Sequence, residues 1–264
     1  MADALQTHEM PMGNLREVQF WFHQGAEHVP GLLYLPAEHE EPMPLVLIQH
    51  PGMGSKEDYF VAEVARQWAT RGWICAGLDA PLHGERATAD PMSLFRNPDR
   101  YPEIRAQFAA EVSTMLDLLS ARLPVDRSRL GFVGYSMGSM LGIPAVARDG
   151  RFKAAAFCLV GEGGLVGNVE GPEADVPLLK NVATRVVGKL QDQLIPRERT
   201  EALYNALPGV KDIRWLPGGH LPRYVQGERY YQGRWMPAEA ESKLRRNLKR
   251  GWRIDSEHYL LTTN

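Results

Sequence analysis

Short apolar runs recur along the chain and alternate with segments in which apolar residues repeat at helical spacing. Near the start, apolar runs at 18–22 and 32–35 flank a turn-forming stretch at 25–30, which predicts an antiparallel hairpin. Later runs are continuously apolar, as expected of strands that are buried on both faces. These runs lie at 45–48, 73–78, 130–133, 154–160, 184–188 and 213–216.

Helical spacing fills most of the intervals between these runs. It predicts helices over about 58–71, 103–123 and 196–207, while residues 80–100 read as a long loop. Strands that alternate with helices indicate parallel βαβ units in a doubly wound sheet. We expect one domain over 1–264, with a loose polar leader at 1–14 and a C-terminal extension at 223–264 to which the pattern assigns no role.

A glycine-flanked serine follows the apolar run at 130–133. The pentapeptide Gly134-Tyr135-Ser136-Met137-Gly138 has the form Gly-x-Ser-x-Gly, between a predicted strand and a predicted helix. In that context the serine occupies a strained turn, and its hydroxyl is exposed at a helix N-terminus. By itself the pentapeptide also fits a glycine-rich turn in another α/β protein, so its meaning depends on the rest of the chain.

A serine nucleophile needs a base, and the base needs an acid that orients it. Asp192 follows the predicted strand 184–188, and His220 follows the last predicted strand on a glycine-rich loop. The chain order Ser136, Asp192, His220 is the order found in α/β-hydrolases. Alone, Asp192 also fits a helix cap and His220 an ordinary loop histidine. Three such residues, each after its own strand, favour catalysis.

Acyl transfer at a serine also needs backbone donors for the oxyanion of the tetrahedral intermediate. The N–H of Met137, the residue after the nucleophile, is the expected second donor. The glycine-rich turn after strand 45–48 supplies the first, for which we favour Gly52, with Met53 as the alternative.

Composition and charge narrow the class of protein. The chain has 264 residues, of which 44% are hydrophobic and 23% charged, and a formal net charge of −2, which argues against a nucleic-acid binder. No apolar run approaches the roughly 18 residues that span a membrane. Cys75 and Cys158 lie in apolar runs without metal-ligand or disulfide spacing. The N-terminus lacks the basic and apolar regions of a secretory signal, so we expect a cytoplasmic protein.

Several segments together resemble the α/β-hydrolase superfamily, of the dienelactone-hydrolase-like or serine-esterase type. The segments that carry this resemblance are His50–Asp58, Asp79–Arg86, Gly134–Gly138, Gln191–Pro196 and Leu216–His220. The resemblance implies a mostly parallel sheet with an N-terminal antiparallel hairpin, and acyl hydrolysis without a metal or other cofactor. Two departures are His50-Pro51-Gly52, where His-Gly is commoner, and Ser136, where a strict dienelactone hydrolase has cysteine.

Other residues near the predicted site have two interpretations each. His83 lies in the loop after strand 73–78 and either braces that loop or acts as a second base. Glu162 follows strand 154–160 and either lines the pocket or replaces Asp192 as the acid. The segment between Val160 and Thr184 is too short for a large cap. The aromatic residues of the 223–264 extension favour a cover over the pocket or contact with a second copy of the chain.

These observations predict a serine hydrolase that cleaves a small-molecule carboxylic ester through an acyl-enzyme on Ser136. The same triad serves thioesterases, peptidases, acyltransferases and C–C bond hydrolases, which stay open as alternatives. A binding protein that has kept this fold without catalysis is a further alternative. We expect neither a nucleic acid nor a membrane as partner.

Overall fold

The structure of the protein is a computed structural model. The described residues are 5–39, 41–87, 94, 98–163, 171–221, 228–231, 234–237, 239–240, 253–255 and 260–262.

A nine-stranded mixed sheet forms the centre of the fold. Its strands are β1 (Gln6–Met12), β2 (Leu15–Gln24), β3 (Glu27–Pro36), β4 (Met43–Gln49), β5 (Ile74–Leu78), β6 (Val125–Tyr135), β7 (Ala154–Cys158), β8 (Ala183–Lys189) and β9 (Lys211–Leu216). They are ordered β1-β2-β3-β5-β4-β6-β7-β8-β9. Neighbours from β1 to β5 in this order are antiparallel, and those from β5 to β9 are parallel. The predicted hairpin and mostly parallel sheet are confirmed.

Helices cover both faces of the parallel part of the sheet. They are α1 (Tyr59–Ala69), α2 (Tyr101–Arg122), α3 (Met137–Asp149) and α4 (Arg197–Ala206). Along β4, Leu45 and Leu47 belong to the core that contains α2 and α3, while Val46 and Ile48 belong to the core beneath α1. Successive side chains of a strand point to opposite faces, so a strand covered on both sides must be apolar throughout. This explains the continuous apolar runs.

The prediction of a loose leader at 1–14 is wrong for residues 6–12. These residues form β1, which pairs antiparallel with β2 from Gln6 opposite Trp21 to Met12 opposite Leu15. All seven residues of β1 are exposed. An edge strand is held by its backbone hydrogen bonds and needs no buried face, so the apolar pattern that indicates the other strands is missing here.

The connections between β7 and β8 and beyond β9 bear on the shape of the site. Between Cys158 and Ala183 the described residues include a 3₁₀ helix, Pro172–Asn181, and no large cap domain is found. The described residues of the 223–264 extension include two further pairs of short strands. They are β10 (Glu228–Tyr231) with β11 (Arg234–Pro237), and β12 (Arg253–Asp255) with β13 (Leu260–Thr262). Contact of this extension with a second copy stays a prediction.

The structure describes only part of the predicted loop 80–100. In the predicted loop 80–100, residues 88–93 and 95–97 lie outside the described residues, and Gly84–Arg86 and Pro98–Arg100 are short 3₁₀ turns. No helix among the described residues has the length and apolar character needed to cross a bilayer.

Candidate active site

The carboxyl ends of four parallel strands bring the predicted site residues to one edge of the sheet. In the register of these strands, Gln49 of β4 lies opposite Gly134 of β6, and Tyr135 lies opposite Cys158 of β7. The loops after β8 and β9 leave from the same edge, since these strands are parallel to β7. Ligands bind at this edge in open α/β sheets.

Ser136 occupies the sharp turn between β6 and α3. Its backbone angles are φ 53° and ψ −113°, a conformation that a residue with a side chain rarely adopts. A Cβ atom on Gly134 would lie 2.6 Å from the Gly138 carbonyl oxygen, and one on Gly138 would lie 2.5 Å from the Gln49 carbonyl oxygen. Both glycines of the pentapeptide are therefore required by close backbone approach, and Gly138 also places the end of β4 against the turn.

The turn is tied to the neighbouring strand by a buried serine that the sequence analysis missed. The Ser139 hydroxyl lies 2.7 Å from the Gly134 carbonyl oxygen and accepts a hydrogen bond of 2.9 Å from the Cys158 N–H. The Ser136 N–H donates to the Cys158 carbonyl oxygen at 2.8 Å. Ser139 follows the pentapeptide directly, which is the only sequence signal that could have indicated it.

Ser136, His220 and Asp192 form one line of hydrogen bonds. The Ser136 Oγ lies 2.7 Å from His220 Nε2, and His220 Nδ1 lies 2.9 and 3.0 Å from the two Asp192 carboxylate oxygens. Ser136 is 5% exposed and His220 is 7% exposed. The structure thus brings together the three residues that the sequence placed after three separate strands.

The protonation of this line follows from the environment of Asp192. Burial favours the neutral acid, but hydrogen bonds from His220 and from the N–H groups of Ile195 and Leu194 outweigh it and hold the pKa of Asp192 below its ordinary value. A carboxylate only accepts hydrogen bonds, so the His220 proton lies on Nδ1. His220 Nε2 is then free to accept the Ser136 proton.

Two glutamines hold the loop that carries His220. The Gln193 side-chain oxygen accepts the His220 backbone N–H at 2.7 Å, and the Gln191 side-chain oxygen accepts the Gly218 N–H at 2.7 Å. The Gln191 N–H in turn donates to the Gly218 carbonyl oxygen at 3.1 Å. Both glutamines flank Asp192 in sequence, but nothing in a one-dimensional pattern shows that they reach the histidine loop.

The start of α3 leaves a backbone donor beside Ser136. The Ser139 and Met140 N–H groups donate to the Ser136 carbonyl oxygen at 2.9 and 3.1 Å. Met137, one residue after the nucleophile, makes no N–H hydrogen bond to any described residue. Free N–H groups in the first turn of a helix are the expected donors to an anion.

The turn after β4 presents the other candidate donors. The Gly54 N–H donates to the Pro51 carbonyl oxygen at 3.2 Å, which closes a four-residue turn over Pro51–Gly54. Met53 has φ 63° within this turn, and its side chain is 59% exposed. Within the described part of the chain, the N–H groups of Gly52 and Met53 donate to no other group. Both residues stay candidates for the first oxyanion donor.

Two buried histidines lie beside this turn. The Ala80 N–H donates to His50 Nε2 at 3.0 Å, so the His50 proton lies on Nδ1, which donates to the Pro51 carbonyl oxygen at 2.7 Å. Burial lowers the pKa of His50 to about 4. The His83 ring lies 5.6 Å from the His50 ring, centroid to centroid.

His83 is bound within its own loop. Its Nδ1 lies 2.9 Å from the Pro81 carbonyl oxygen, burial lowers its pKa, and its Nε2 contacts no hydrogen-bond partner among the described residues. The contact with Pro81 agrees with the bracing interpretation rather than with a second base.

Glu162 lies on the exposed surface, where its N–H donates to the Arg199 carbonyl oxygen at 3.0 Å. Because Asp192 occupies His220 Nδ1, Glu162 is not needed as the acid.

Two curated proteins are similar to this chain in sequence. The uncharacterized protein YcjY of Escherichia coli K12 is 28% identical over 125 residues, which cover 47% of this chain and 38% of that protein. The hydrolase LUC6 of a Fusarium species is 31% identical over 153 residues, which cover 55% of this chain and 33% of that protein. The matches thus span about a third of each relative's length. No protein-family model matches the chain.

Solved structures match over most of the chain. A complex of a cold-adapted esterase from an Arctic intertidal metagenomic library superposes with a TM-score of 0.68 at 26% identity, covering 91% of this chain and 97% of that one. A dienelactone-hydrolase-like promiscuous phosphotriesterase from metagenomic libraries superposes with a TM-score of 0.59 at 19% identity, covering 78% and 83%. This chain has the α/β-hydrolase fold, and the structures it resembles are those of esterases and dienelactone-hydrolase-like proteins.

Proposed function

We propose that the protein is a serine hydrolase that cleaves carboxylic esters through an acyl-enzyme on Ser136. The observation that carries this proposal is the hydrogen-bonded line from Ser136 through His220 to Asp192, which begins at a strained turn. Strain at a turn is maintained only where the surrounding structure enforces it, and it occurs often at catalytic residues. The esterase with 26% identity supports the choice of an ester.

In this mechanism Ser136 is the nucleophile, His220 transfers the proton, and Asp192 orients His220 and stabilises its cationic form. Ser136 Oγ attacks the carbonyl carbon of the ester while His220 Nε2 takes its proton, and the carbonyl electrons move onto the oxygen. When the tetrahedral intermediate collapses, His220 returns that proton to the leaving alcohol and the acyl group stays on Ser136. Water then repeats the attack with His220 as base, which releases the carboxylic acid and restores the serine.

The oxyanion needs two donors that point to where charge develops. The Met137 N–H and one of the Gly52 and Met53 N–H groups fill this role, because none of them is used within the described structure. Such donors act without reorganisation at the moment of reaction, and the loss of one typically costs about 10²- to 10³-fold in kcat.

The test compares Ser136→Ala with the same change at a serine on the strand that precedes it. Ser136→Ala should abolish turnover of an activated ester such as p-nitrophenyl acetate and abolish labelling by a fluorophosphonate. Ser128→Ala, at an exposed position of β6, should keep both. Turnover in Ser136→Ala at the wild-type rate would contradict the proposal. Failure of the wild type to label or to turn over would favour a binding protein on this fold.

The alternatives that use the same triad differ in the acyl acceptor or in the bond cleaved. Added alcohols or amines compete with water for an acyl-enzyme, so product analysis with such nucleophiles separates transferase from hydrolase. No contact among the described residues favours a thioester, a peptide or a carbon–carbon bond over an ester.

A further inference from the structure

The segment that carries the oxyanion turn is anchored on three consecutive residues at the end of β5. We call residues 49–56, which include the turn Pro51–Gly54, the oxyanion segment. Each anchor residue forms a hydrogen bond with a different part of it. The bonds are Gln49 Nε2 to the Leu78 carbonyl oxygen at 3.0 Å, Lys56 N–H to Asp79 Oδ1 at 2.8 Å, and Ala80 N–H to His50 Nε2 at 3.0 Å.

The Asp79 carboxylate is the centre of this anchorage. Besides the Lys56 N–H, it accepts the Lys56 ammonium at 2.9 Å and the Glu85 N–H at 3.0 Å. Asp79 is fully buried and Lys56 is 2% exposed. The Asp79 N–H donates to the Pro30 carbonyl oxygen at 3.0 Å, which fixes the residue to the neighbouring strand β3.

The loop after Asp79 folds around the same carboxylate. Gly84 has φ 57°, and a Cβ atom there would lie 2.1 Å from the Asp79 carboxyl group. The Lys56 ammonium also contacts the Glu85 carboxylate at 2.5 Å. The buried Lys56 ammonium thus pairs with two carboxylates. Through these bonds the oxyanion segment and the loop after Asp79 are connected to each other.

A buried ion pair is a poor source of stability, because the loss of hydration offsets most of the Coulomb attraction. Its hydrogen bonds are directional, however, and here they fix both ends of a turn whose own residues are exposed or half-buried. His50 fixes the start of that turn through Ala80, and Lys56 fixes its end through Asp79.

We infer that Asp79, with the Lys56 ammonium that it neutralises, is the positioning residue of the oxyanion turn. This inference rests on the proposed function, since it gives the turn its role. Asp79 acts through the backbone of residues 51–54. A displaced oxyanion donor weakens binding of the transition state and leaves binding of the ground-state ester nearly unchanged. Misplacement by about 1 Å is enough to cost about 10²-fold.

The test substitutes Asp79→Asn, which keeps the size of the side chain but removes the charge that pairs with Lys56. We measure kcat and KM with p-nitrophenyl acetate, and the affinity for an aryl trifluoromethyl ketone that forms a tetrahedral adduct with the serine. The matched control is Asp175→Asn. It removes a buried carboxylate that pairs with Arg105 and with the partly exposed Arg148, a residue roughly 18 Å along α3 from Ser136.

The expected result separates the two variants. Asp79→Asn should lower kcat and the affinity for the ketone by similar factors, about 10- to 100-fold, with KM changed less than about threefold. Asp175→Asn should leave all three near wild type even where it lowers thermal stability. Equal effects of the two variants, or wild-type kcat in Asp79→Asn, would overturn the inference while leaving the proposed function intact.

A second variant decides the question if Asp79→Asn does not fold. Lys56→Met removes the cation but keeps the two backbone N–H groups that bind Asp79, so a smaller loss of kcat and of ketone affinity is expected. Wild-type values for both in Lys56→Met would then overturn the inference. A wild-type protein that neither hydrolyses the ester nor forms the adduct would contradict the proposed function and the inference with it.

Discussion

The loops that carry Asp192 and His220, the proposed acid and base, are held by exposed side chains, whereas the oxyanion segment is held by buried groups. Exposed Gln191 and Gln193 fix the histidine loop through bonds to Gly218 and His220. Buried Asp79, Lys56 and His50 fix the oxyanion segment. We call the loops that carry Asp192 and His220, together with the two glutamines, the base arm. We call the oxyanion segment, together with Asp79, the oxyanion arm.

This difference separates chemistry from stability. In the base arm the two glutamines that hold the histidine loop are exposed, so a change there leaves no buried charge without a partner, and activity should fall while the fold persists. In the oxyanion arm the same change leaves a buried charge or donor without a partner, which costs free energy of unfolding as well. The two arms therefore predict opposite relations between lost activity and lost stability.

The largest expected effect is at the acid of the base arm. Asp192→Asn keeps the shape of the side chain, but its amide favours the wrong His220 tautomer, so kcat should fall about 10⁴-fold. The unfolding midpoint should change little, because the remaining oxygen still accepts the Leu194 and Ile195 N–H groups. Steady-state kinetics and thermal melting of the same sample check both parts.

The control for this substitution is Asp212→Asn, which breaks the ion pair with Arg185, both partners being substantially exposed. It should leave kcat unchanged. Loss of stability in Asp192→Asn comparable to that in Asp79→Asn would contradict the distinction between the arms.

In the oxyanion arm, His50 should make stability depend on pH. Burial holds its pKa at about 4 in the folded protein, against an ordinary value of 6.5. Between these values the unfolded chain binds a proton that the folded chain does not, so the free energy of unfolding falls as the pH falls through this window. One such group contributes at most about 1.4 kcal/mol per pH unit.

Urea unfolding at several pH values between 7 and 5 measures this slope. His50→Gln, whose amide can keep the bonds to Ala80 and Pro51, should show a shallower slope than wild type. His8→Gln, at an exposed position of β1, serves as the control and should keep the wild-type slope. Identical slopes in all three proteins would show that His50 does not carry the pH dependence.

The smallest expected effect is at Gln193. Gln193→Ala removes the acceptor of the His220 N–H and frees the histidine loop, so kcat should fall about threefold to tenfold through less exact placement of the base. The free energy of unfolding should stay within about 0.5 kcal/mol, as for most surface substitutions. A large loss of stability without loss of kcat would reverse the comparison at this position.

Residues that follow an apolar run could be located from the sequence. Buried strands are indicated by their composition, so each loop at the active edge could be assigned to its strand, and Ser136, Asp192 and His220 could be grouped. The structure places these three in contact. The same pattern could not reveal β1, because that strand buries none of its residues.

Contacts between loops were beyond prediction for another reason. Lys56 and Asp79 lie 23 positions apart, and Gln193 and His220 lie 27 apart. Their pairing depends on which strands are neighbours in the sheet and on how each loop turns. Neither the order of strands in the sheet nor the path of a loop can be predicted from local propensity or from periodicity. The residues that hold the site were therefore missed, although the three residues that we propose to react could be grouped from the sequence.

Trapping of the acyl-enzyme tests the central claim most directly. The protein is mixed with p-nitrophenyl acetate, quenched in acid within the first turnover, digested and analysed by mass spectrometry. We predict one acetyl group on the peptide that contains Ser136, and its absence in Ser136→Ala. Hydrolysis of the ester without a trapped acetyl group, or with the group on another residue, would contradict it.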